Sequence, residues 1–529
     1  MNHSNSSHLL FKGAFLLTLS GLIGKVLSAG YRIPLQNIAG DFGFYVYQQI
    51  YPILGIALVL SLYGFPAAVS KLVAEIGERG QSLSLSSFYF PALSWLFGIC
   101  GLIFMIGYTQ AGELADVMGD KRLTPSLQAA FTVFLLLPIP SLLRGVYQGQ
   151  GNMQPTAISQ VAEQLVRVLL IIGATIYVVS ESQIYHIGIG AAIASLGGII
   201  ASIIVFIFII RKDPPWTKGP VDYSSLSFVK TIVFYGIFIC LNYMLLLLIQ
   251  MTDALTLVPS LIEAGVAPVE AKVLKGIFDR GQPLIQLGTV LASSLALALI
   301  PSITKKKMHA HPKQVDGYIF GSIKFSLILA CGASAGLIVL MPFINELFFQ
   351  NEKGTAVLRV LMLVILFSSL AVTFASILQG LGFVTHTAII VVFAILLKWG
   401  LNALLVPHLL LNGAAIASIC SAAAVVVCQC LLLRRYFSFK KWFRLPWLSI
   451  TWALAGMIVV LLVLIGIRSL LGMEGGNRFS LLVYTLSLTA AGAVTYLIML
   501  IRLGALHRRE LEAVPYGSSL VRFLPKGLK

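Results

Sequence analysis

The sequence predicts an all-α polytopic membrane protein of fourteen transmembrane helices. Twelve of them are expected to form two six-helix lobes related by a pseudo-two-fold axis along the membrane normal, and two extra helices follow at the C-terminus. Three observations predict this fold. The chain is 58% hydrophobic and only 11% charged, with a mean hydropathy of +0.92, whereas soluble domains average about 25% charged residues. Long apolar runs recur from end to end, and part of the sequence occurs twice.

Each predicted span is an apolar run of about 20 residues, the length at which a helix crosses a ~30 Å hydrocarbon core while satisfying its own backbone. The runs cover residues 9–33, 45–69, 88–108, 126–147, 156–179, 184–210, 228–250, 282–303, 319–343, 356–378, 387–406, 409–433, 445–471 and 479–501. The first run has no small-residue cleavage site, so we expect it to be a retained helix. All six cysteines lie within such runs, so neither disulfides nor a metal site is predicted.

The fifth and eleventh spans share a sequence motif. QGQGNMQPTAISQVAEQLVR ends at Arg167, and QGLGFVTHTAIIVVFAILLK ends at Lys398; the two segments are identical at eight of twenty positions. The hexapeptide GAAIAS also occurs twice, beginning at Gly190 and at Gly413. The duplication predicts one lobe over residues 1–221, a second over residues 222–436, and a C-terminal part over residues 437–529. An even number of spans per lobe gives both lobes the same orientation, with a substrate site between them.

The net charge of +17 is concentrated in alternate short loops and in the C-terminal tail. By the positive-inside rule, this pattern places both termini of a multi-pass membrane protein in the cytoplasm. The basic surface is expected to face anionic membrane lipids, and nucleic-acid binding is not predicted. The segment 263–280 is predicted to be an amphipathic helix lying flat on the outer leaflet.

Charges inside the spans indicate the function. A cation at the bilayer centre costs roughly 2.5–3.5 kcal/mol, so it usually faces a watery cavity or a partner. Arg167 continues a stripe formed by Gln160, Glu163 and Gln164 at positions i, i+3, i+4 and i+7 of one helix. The stripe predicts a polar face toward the space between the lobes. The alternative is that Glu163 and Arg167 neutralise each other as a structural pair.

Other polar residues extend this set. Lys398 corresponds to Arg167 in the repeat and has no acid within one turn, although Asn402 follows one turn later. The remaining substrate-binding candidates are Lys25 in the first span and Arg144 at the end of the fourth. Lys71 at the cytoplasmic mouth is a candidate gating or ion-coupling residue, which alternatively forms a surface pair with Glu75. Acids are few: Glu163 and Asp253 are the candidate gating, ion or proton sites. A cavity surrounded by cations predicts an anionic cargo such as a pyrophosphate.

Three stretches resemble a known family. SKLVAE, LLRGVYQGQGNMQPTAISQVAEQLVR and FDRGQPLIQLGTVLASSLALALIP are similar to the SpoVB and YabM branch of the polysaccharide-transporter family. Its superfamily also holds MurJ and the MATE transporters. The resemblance implies two six-helix lobes, alternating access, and a cavity lined by cations of the first helices and of helix 8. Here these cations are Lys25, Arg32 and Arg280, with a lysine where the family has the deep arginine of helix 1.

The resemblance and the cations together predict a flippase for an undecaprenyl-pyrophosphate-linked saccharide, with lipid II or a related cell-wall precursor as the favoured cargo. No cofactor is predicted, but coupling to the membrane potential, H⁺ or Na⁺ is considered, as is association with cell-wall or polysaccharide synthesis machinery. Three alternatives stay open: a MATE-like cation or drug antiporter, a polytopic glycosyltransferase or polymerase, and a structural scaffold. The first needs acids in the cavity, and the second a catalytic acid or base in a large outer loop.

Overall fold

The structure is a computed structural model that describes residues 3–79, 83–216, 230–299, 312–434, 445–470, 477–508, 510 and 521–525. Every regular element in these ranges is a helix. By its internal contacts the chain divides into two compact units. Unit 1 comprises Met1–Asp279 and Val384–Ala414, and unit 2 comprises Arg280–Phe383 and Ala415–Lys529.

Unit 1 is built from the N-terminal helices. These are α1 (His3–Gly30), α2 (Arg32–Val59), α3 (Phe65–Glu78), α4 (Phe90–Thr109), α5 (Ala111–Val117), α6 (Thr124–Thr132), α7 (Pro138–Gly149), α8 (Gln154–Ser180), α9 (Ile187–Lys212), α10 (Gly236–Tyr243), α11 (Leu245–Glu263) and α12 (Pro268–Asp279). A π-helical segment, Leu60–Gly64, joins α2 to α3. Within this unit α8 packs along α9 and against α1, and α12 packs against α2.

Unit 2 contains the later helices. These are α13 (Gly281–Leu299), α14 (Pro312–Phe349), α15 (Thr355–Leu361), α16 (Leu363–Gly380), α18 (Trp447–Leu470) and α19 (Arg478–Arg502). The long helix α17 (Val384–Leu433) contributes its first part to unit 1 and its second part to unit 2. Helices α18 and α19 pack against each other and against α14.

Within the described ranges, ten helices are long and apolar enough to cross a membrane, or eleven with the bent pair Lys121–Leu135 and Pro138–Gly149. Two of the ten, Leu19–Glu78 and Val384–Leu433, run for 60 and 50 residues. At about 1.5 Å per residue, each is more than twice as long as a ~30 Å hydrocarbon core is thick. The protein is therefore a multi-pass membrane protein, while the count of fourteen spans and the two-lobe symmetry remain predictions.

Both of these long helices are interrupted by one residue with non-helical backbone angles. In α2 the residue is Gly40, with φ 67° and ψ −176°, a conformation that glycine adopts without strain. In α17 it is Leu410, with φ 50° and ψ −131°, three residues after Pro407. A proline inside a helix removes one backbone hydrogen bond. The two breaks fall in or next to the predicted loops between spans 1 and 2 and between spans 11 and 12.

Helix α12, in the segment predicted to lie flat on the outer leaflet, packs against α2 in the structure. Its buried side carries Lys275 and Asp279 beside Ala271 and Phe278, whereas Val269 is 67% exposed. Gly276 packs directly against the backbone carbonyl of Asp41 in α2, where a Cβ would clash. The buried side of α12 therefore carries charged side chains and a close backbone contact as well as apolar groups, and its position on a leaflet stays a prediction.

The compact units do not follow the predicted lobe limits. The units group residues by contact and assign residues 230–279 and 384–414 to the N-terminal part of the chain. The predicted lobes instead follow the sequence repeat and change at residues 221 and 436. The lobe boundaries therefore stay a prediction.

Candidate functional site

One face of α8 carries a buried polar stripe. Gln160, Glu163, Gln164 and Arg167 are all at most 8% exposed, although α8 also bears apolar side chains that are open to the surroundings, such as Leu169 at 70%. A membrane helix behaves in this way when its apolar side faces lipid and its polar side faces protein or an internal space. The stripe that the sequence predicted is thus enclosed within unit 1.

Glu163 is the centre of a buried ionic cluster. Its Oε2 accepts a hydrogen bond from Arg144 Nη2 at 2.6 Å, and its Oε1 accepts one from Arg167 Nη2 at 2.8 Å. Gly198 makes room for this group, since a Cβ there would lie 2.7 Å from the Glu163 carbonyl oxygen. The other donors of Arg144 bond to the hydroxyls of Ser61, Ser159 and Ser202. Two guanidinium groups therefore share one carboxylate.

The structure shows one of the two sequence interpretations of Glu163 and Arg167, and the polar face toward the space between the lobes stays a prediction. Glu163 and Arg167 form the i, i+4 pair that was the structural alternative. The same carboxylate is also bound by Arg144 from α7, so the cluster keeps one uncompensated positive charge. Arg144 is held by four side chains and is fully buried, whereas Arg167 Nε has no hydrogen-bond partner among the described residues. Of the two arginines, Arg167 is therefore the one that still has an unused hydrogen-bond donor.

A small cavity lies next to Arg167. Three tyrosines, Tyr31, Tyr47 and Tyr51, line it together with Ser28 and Ser195. Its volume is sufficient for about one water molecule. The hydroxyls of Tyr31 and Tyr47 are hydrogen-bonded to each other. The cavity therefore presents phenol and alcohol groups to a guanidinium.

Arg32 lies beside this cavity. Its guanidinium carbon is 3.8 Å from the centre of the Tyr51 ring, and the residue is fully buried. In the part of the chain that the structure describes, none of its three guanidinium nitrogens has a hydrogen-bond acceptor, and no carboxylate lies within 4.0 Å. A buried cation of this kind is expensive unless a counter-charge reaches it. The resemblance alone had pointed to Arg32.

Lys25 lies on α1, one turn after Gly21. It is half-buried, and among the described residues it has neither an ion-pair nor a hydrogen-bond partner. Close by, Ser20 donates to Gln160 Oε1 at 3.3 Å, which joins α1 to α8. Lys25, Arg32, Arg144, Arg167 and Glu163 thus all lie in unit 1.

The sequence shows no acid within one turn of Lys398, but in the structure Lys398 has an acidic partner from another helix. Its Nζ donates to Asp253 Oδ2 at 2.6 Å, and both side chains are fully buried. Asn402 donates to Asp253 Oδ1 at 3.0 Å and to the hydroxyl of Thr256 at 2.8 Å. The acid is 145 positions away in sequence, on α11. Lys398 and Asp253 therefore neutralise each other. Lys398 corresponds to Arg167 in the repeat, but it is not a second free cation.

The sequence reasoning missed a second ion pair near the first. Lys275 Nζ lies 2.5 Å from Asp279 Oδ2, and both side chains are buried. This pair is close enough to Asp253 and Lys398 to interact with them electrostatically. Burial raises the pKa of Asp279 to about 6, although Lys275 acts in the opposite direction. The i, i+4 spacing of a lysine and an aspartate was the available signal.

Two predicted residues lie apart from these clusters. Lys71 is 45% exposed, lies 4.0 Å from Glu75, and is placed over the ring of Tyr235, so it forms the surface pair that was its alternative. Arg280 belongs to unit 2, where its Nη1 donates to Asn345 and Asn351. Among the described residues, no three His, Cys, Asp or Glu side chains are grouped so that they could hold a metal ion.

Known proteins resemble this chain along nearly its whole length. Residues 10–307 match the family described as polysaccharide biosynthesis protein. The chain is 40% identical over 527 residues to the membrane protein YabM of Bacillus subtilis (strain 168), covering 98% of this chain and 97% of that protein. It is 25% identical over 532 residues to the lipid II flippase MurJ of the same organism, covering 94% and 96%.

A solved structure has the same fold. The lipid II flippase MurJ in an inward closed conformation superposes with a TM-score of 0.61 at 16% identity, and the match covers 93% of this chain and 97% of that one. At this identity the likeness shows the fold alone. The relatives are transporters, so the protein is not an enzyme. The chain belongs to the polysaccharide biosynthesis protein family, within the MOP superfamily that includes MurJ and the MATE transporters.

Proposed function

We propose that this protein is a flippase that carries an undecaprenyl-pyrophosphate-linked saccharide across the bacterial cytoplasmic membrane by alternating access. Lipid II or a related cell-wall precursor is the favoured cargo. The family and the lipid II flippase activity of the MurJ relative support a lipid-linked precursor as the cargo.

The observation that carries the proposal is the charge imbalance inside unit 1. Arg144 and Arg167 share the one carboxylate of Glu163, and among the described residues neither Lys25 nor Arg32 has a carboxylate within 4.0 Å. Positive charge without counter-charge is costly within a membrane, and a pyrophosphate would supply the missing negative charge. Guanidinium groups suit this ligand because they bind phosphate oxygens with two parallel, charge-assisted hydrogen bonds.

Each of the four cations has its own role in the proposed transport cycle. Arg144 stays fixed by its three serines and Glu163, while Arg167 exchanges part of its bond to Glu163 for a phosphate oxygen. Arg32 and Lys25 supply further positive charge. The saccharide stays in water and the polyprenyl chain in lipid. After release, an inside-negative potential draws the cationic empty carrier inward with about 2.3 kcal/mol per charge per 100 mV.

Unit 1 gives less support to a cation or drug antiporter. Such a transporter needs carboxylates that are available to a cationic ligand. Glu163 is bonded to two arginines, and Asp253 is bonded to Lys398 and Asn402. We retain Glu163, Asp253 and Lys71 as proposed gating or ion-coupling residues and Arg280 as a proposed substrate-binding residue.

Transport by the purified full-length protein tests the proposal. In proteoliposomes loaded with fluorescent lipid II, the wild type should move the lipid between leaflets, and Arg32→Gln and Arg167→Gln should each slow this about tenfold or more, since each removes a charged hydrogen-bond donor. The control is Arg211→Gln, which removes an exposed arginine at the end of α9. Normal transport by both cavity variants, at equal protein levels, would contradict the role assigned to the cations.

A further inference from the structure

The end of the second predicted span packs closely against the beginning of the seventh, within unit 1. A Cβ on Gly64 would clash with the Sγ of Cys240 and lie 2.9 Å from the carbonyl oxygen of Gly236. Small residues thus let the two backbones approach each other, as they do at many contacts between membrane helices. We call the packing of residues 60–71 against residues 230–243 the inner contact.

Two aromatic interactions flank the glycines of the inner contact. On one side the rings of Tyr63 and Tyr243 stack, with centroids 4.5 Å apart and planes 11° from parallel. On the other side Lys71 Nζ lies 4.5 Å from the centre of the Tyr235 ring. Residue numbers rise along one partner as they fall along the other, so the two segments are antiparallel.

The first partner of the inner contact is also bonded to the ionic cluster. Ser61, in the π-helical segment Leu60–Gly64, accepts a hydrogen bond from Arg144 Nη1 at 2.8 Å. A Cβ at Gly145 of α7 would clash with Val69 of α3. The part of the inner contact that comes from the second span is therefore held against α7, and opening requires the other part to move.

The second partner is separated from the rest of its span by a break in the helix. Helix α10 ends at Tyr243 and α11 begins at Leu245, and Met244 between them has φ −96° and ψ 1°. Beyond the break the span is bonded to α2, since Gln49 Nε2 donates to the carbonyl oxygen of Ala254 at 3.1 Å. Helices bend where their hydrogen-bond ladder is interrupted. Helix α10 can therefore turn about Met244 while α11 keeps its place.

We propose that the inner contact is the cytoplasmic gate of the transport cycle and that α10 turns about Met244 to open it. This inference rests on the proposed function. Alternating access requires helices of the two repeat copies to part on one side of the membrane at a time, and the second and seventh spans come from different copies. The charge pattern predicts that the end with Lys71 is cytoplasmic. The gate is closed in this structure, and Ser61 links it to Arg144.

The chemistry of the inner contact suits repeated opening. Gly64, Gly236 and Cys240 carry no charge, and the side chain of Lys71 is 45% exposed. Parting them leaves no buried charge without a counter-charge, whereas parting a buried ion pair would leave two. The contact can therefore separate and re-form at a smaller cost than the buried ion pairs of the same unit.

A reversible disulfide across the inner contact tests the gate in the full-length protein. A Cβ on Gly236 would lie 3.5 Å from the Cβ of Ala68, within the range of about 3.5–4.5 Å found in disulfides. Ala68→Cys/Gly236→Cys is made in a protein whose six native cysteines are replaced by alanine, and flipping of fluorescent lipid II is followed in proteoliposomes. Oxidation should slow flipping about tenfold or more, because the gate cannot open, and dithiothreitol should restore it.

The single variants Ala68→Cys and Gly236→Cys in the same background are the matched controls, and oxidation should leave their flipping unchanged. Undiminished flipping by the fully cross-linked protein overturns the gate and leaves the proposed function intact. Failure of the cross-link to form overturns the gate as well, because the two positions then do not meet in the membrane. A wild type that flips no lipid II overturns the proposed function together with the gate.

Labelling of native thiols gives a second measurement, which does not depend on flipping. Gly64→Ala puts a methyl group against the Sγ of Cys240, so it should hold the gate open and raise the rate of maleimide labelling of Cys240 about fivefold. Cys100 of α4, a buried thiol of the same unit, is the control and should react at the wild-type rate. A labelling rate of Cys240 that does not rise, or rises no more than that of Cys100, overturns the gate.

Discussion

A single carboxylate partly neutralises two buried arginines of unit 1. Glu163 bonds to Arg144 and Arg167 at 2.6 and 2.8 Å, so it lowers the cost of burying both without cancelling both. Arg144 has four side-chain partners, and Arg167 keeps a free Nε beside the tyrosine-lined cavity. Arg144 is thus held in place by its partners, while Arg167 is the binding group in the proposed function. The shared residue type alone does not show this difference.

The pair of Lys398 and Asp253 shows the opposite situation, in which two charges cancel, and it yields a stability prediction. Asp253→Asn or Lys398→Met alone should destabilise the protein by about 3 kcal/mol, because each leaves the other charge buried without its counter-charge. The double variant Asp253→Asn/Lys398→Met should recover most of this loss. Melting of the detergent-solubilised protein measures the effect, and a double variant as unstable as the sum of the two single variants would show that the pair is not coupled.

At the scale of elements, α12 is fixed to the rest of unit 1 by a shared acid. Lys272 Nζ lies 2.8 Å from Asp120 Oδ2, and the hydroxyls of Tyr45 and Tyr185 donate to the same oxygen at 3.2 and 2.9 Å. Asp120 itself is 5% exposed. One carboxylate therefore holds four elements together: α12, α2, and the short turns before α6 and before α9.

Replacing this acid should loosen α12. Asp120→Asn removes the charge that binds Lys272, so backbone hydrogen exchange in Pro268–Asp279 should rise about tenfold, as expected for the loss of a buried charged hydrogen bond. Asp116→Asn is the control, since Asp116 pairs with Lys121 at 3.4 Å on an exposed surface and surface pairs contribute little. Unchanged exchange in the Asp120 variant, or equal exchange in both variants, would mean that apolar packing holds α12.

How far the sequence could predict these elements depends on the distance between partners. The helical class follows from composition, and the stripe on α8 follows from i, i+3, i+4 spacing, since both are local properties. The partner of Lys398 lies 145 positions away, so no local pattern could reveal it. The rings of Tyr63 and Tyr243, which stack on each other, are also far apart in sequence, so no local pattern could reveal this contact either. For α12, apolar spacing did not indicate the buried Lys275 and Asp279 or the close contact at Gly276.

At the scale of the whole molecule, charge placement and span count must agree. Basic residues lie in alternate loops, including Arg211 and Lys212 at the end of α9 and Arg502 at the end of α19. Such residues stay on the cytoplasmic side during insertion. Helices α8 and α9 are joined by a loop at Glu181 that contains no lysine or arginine. This pattern predicts that the two ends of α9 lie on opposite sides of the membrane and that both chain termini are cytoplasmic.

Reporter fusions test this arrangement and the number of spans together. A green fluorescent protein fused after residue 529 should fluoresce, because it folds only in the cytoplasm, and alkaline phosphatase fused at Glu181 should be active, because it requires the oxidising outer side. Phosphatase fused at Lys212 is the matched control and should be inactive. If a fusion before residue 1 and one after residue 529 report opposite sides, the number of spans is odd. In that case fourteen helices are excluded, and so is the two-lobe scheme of even-numbered repeats plus a helical pair.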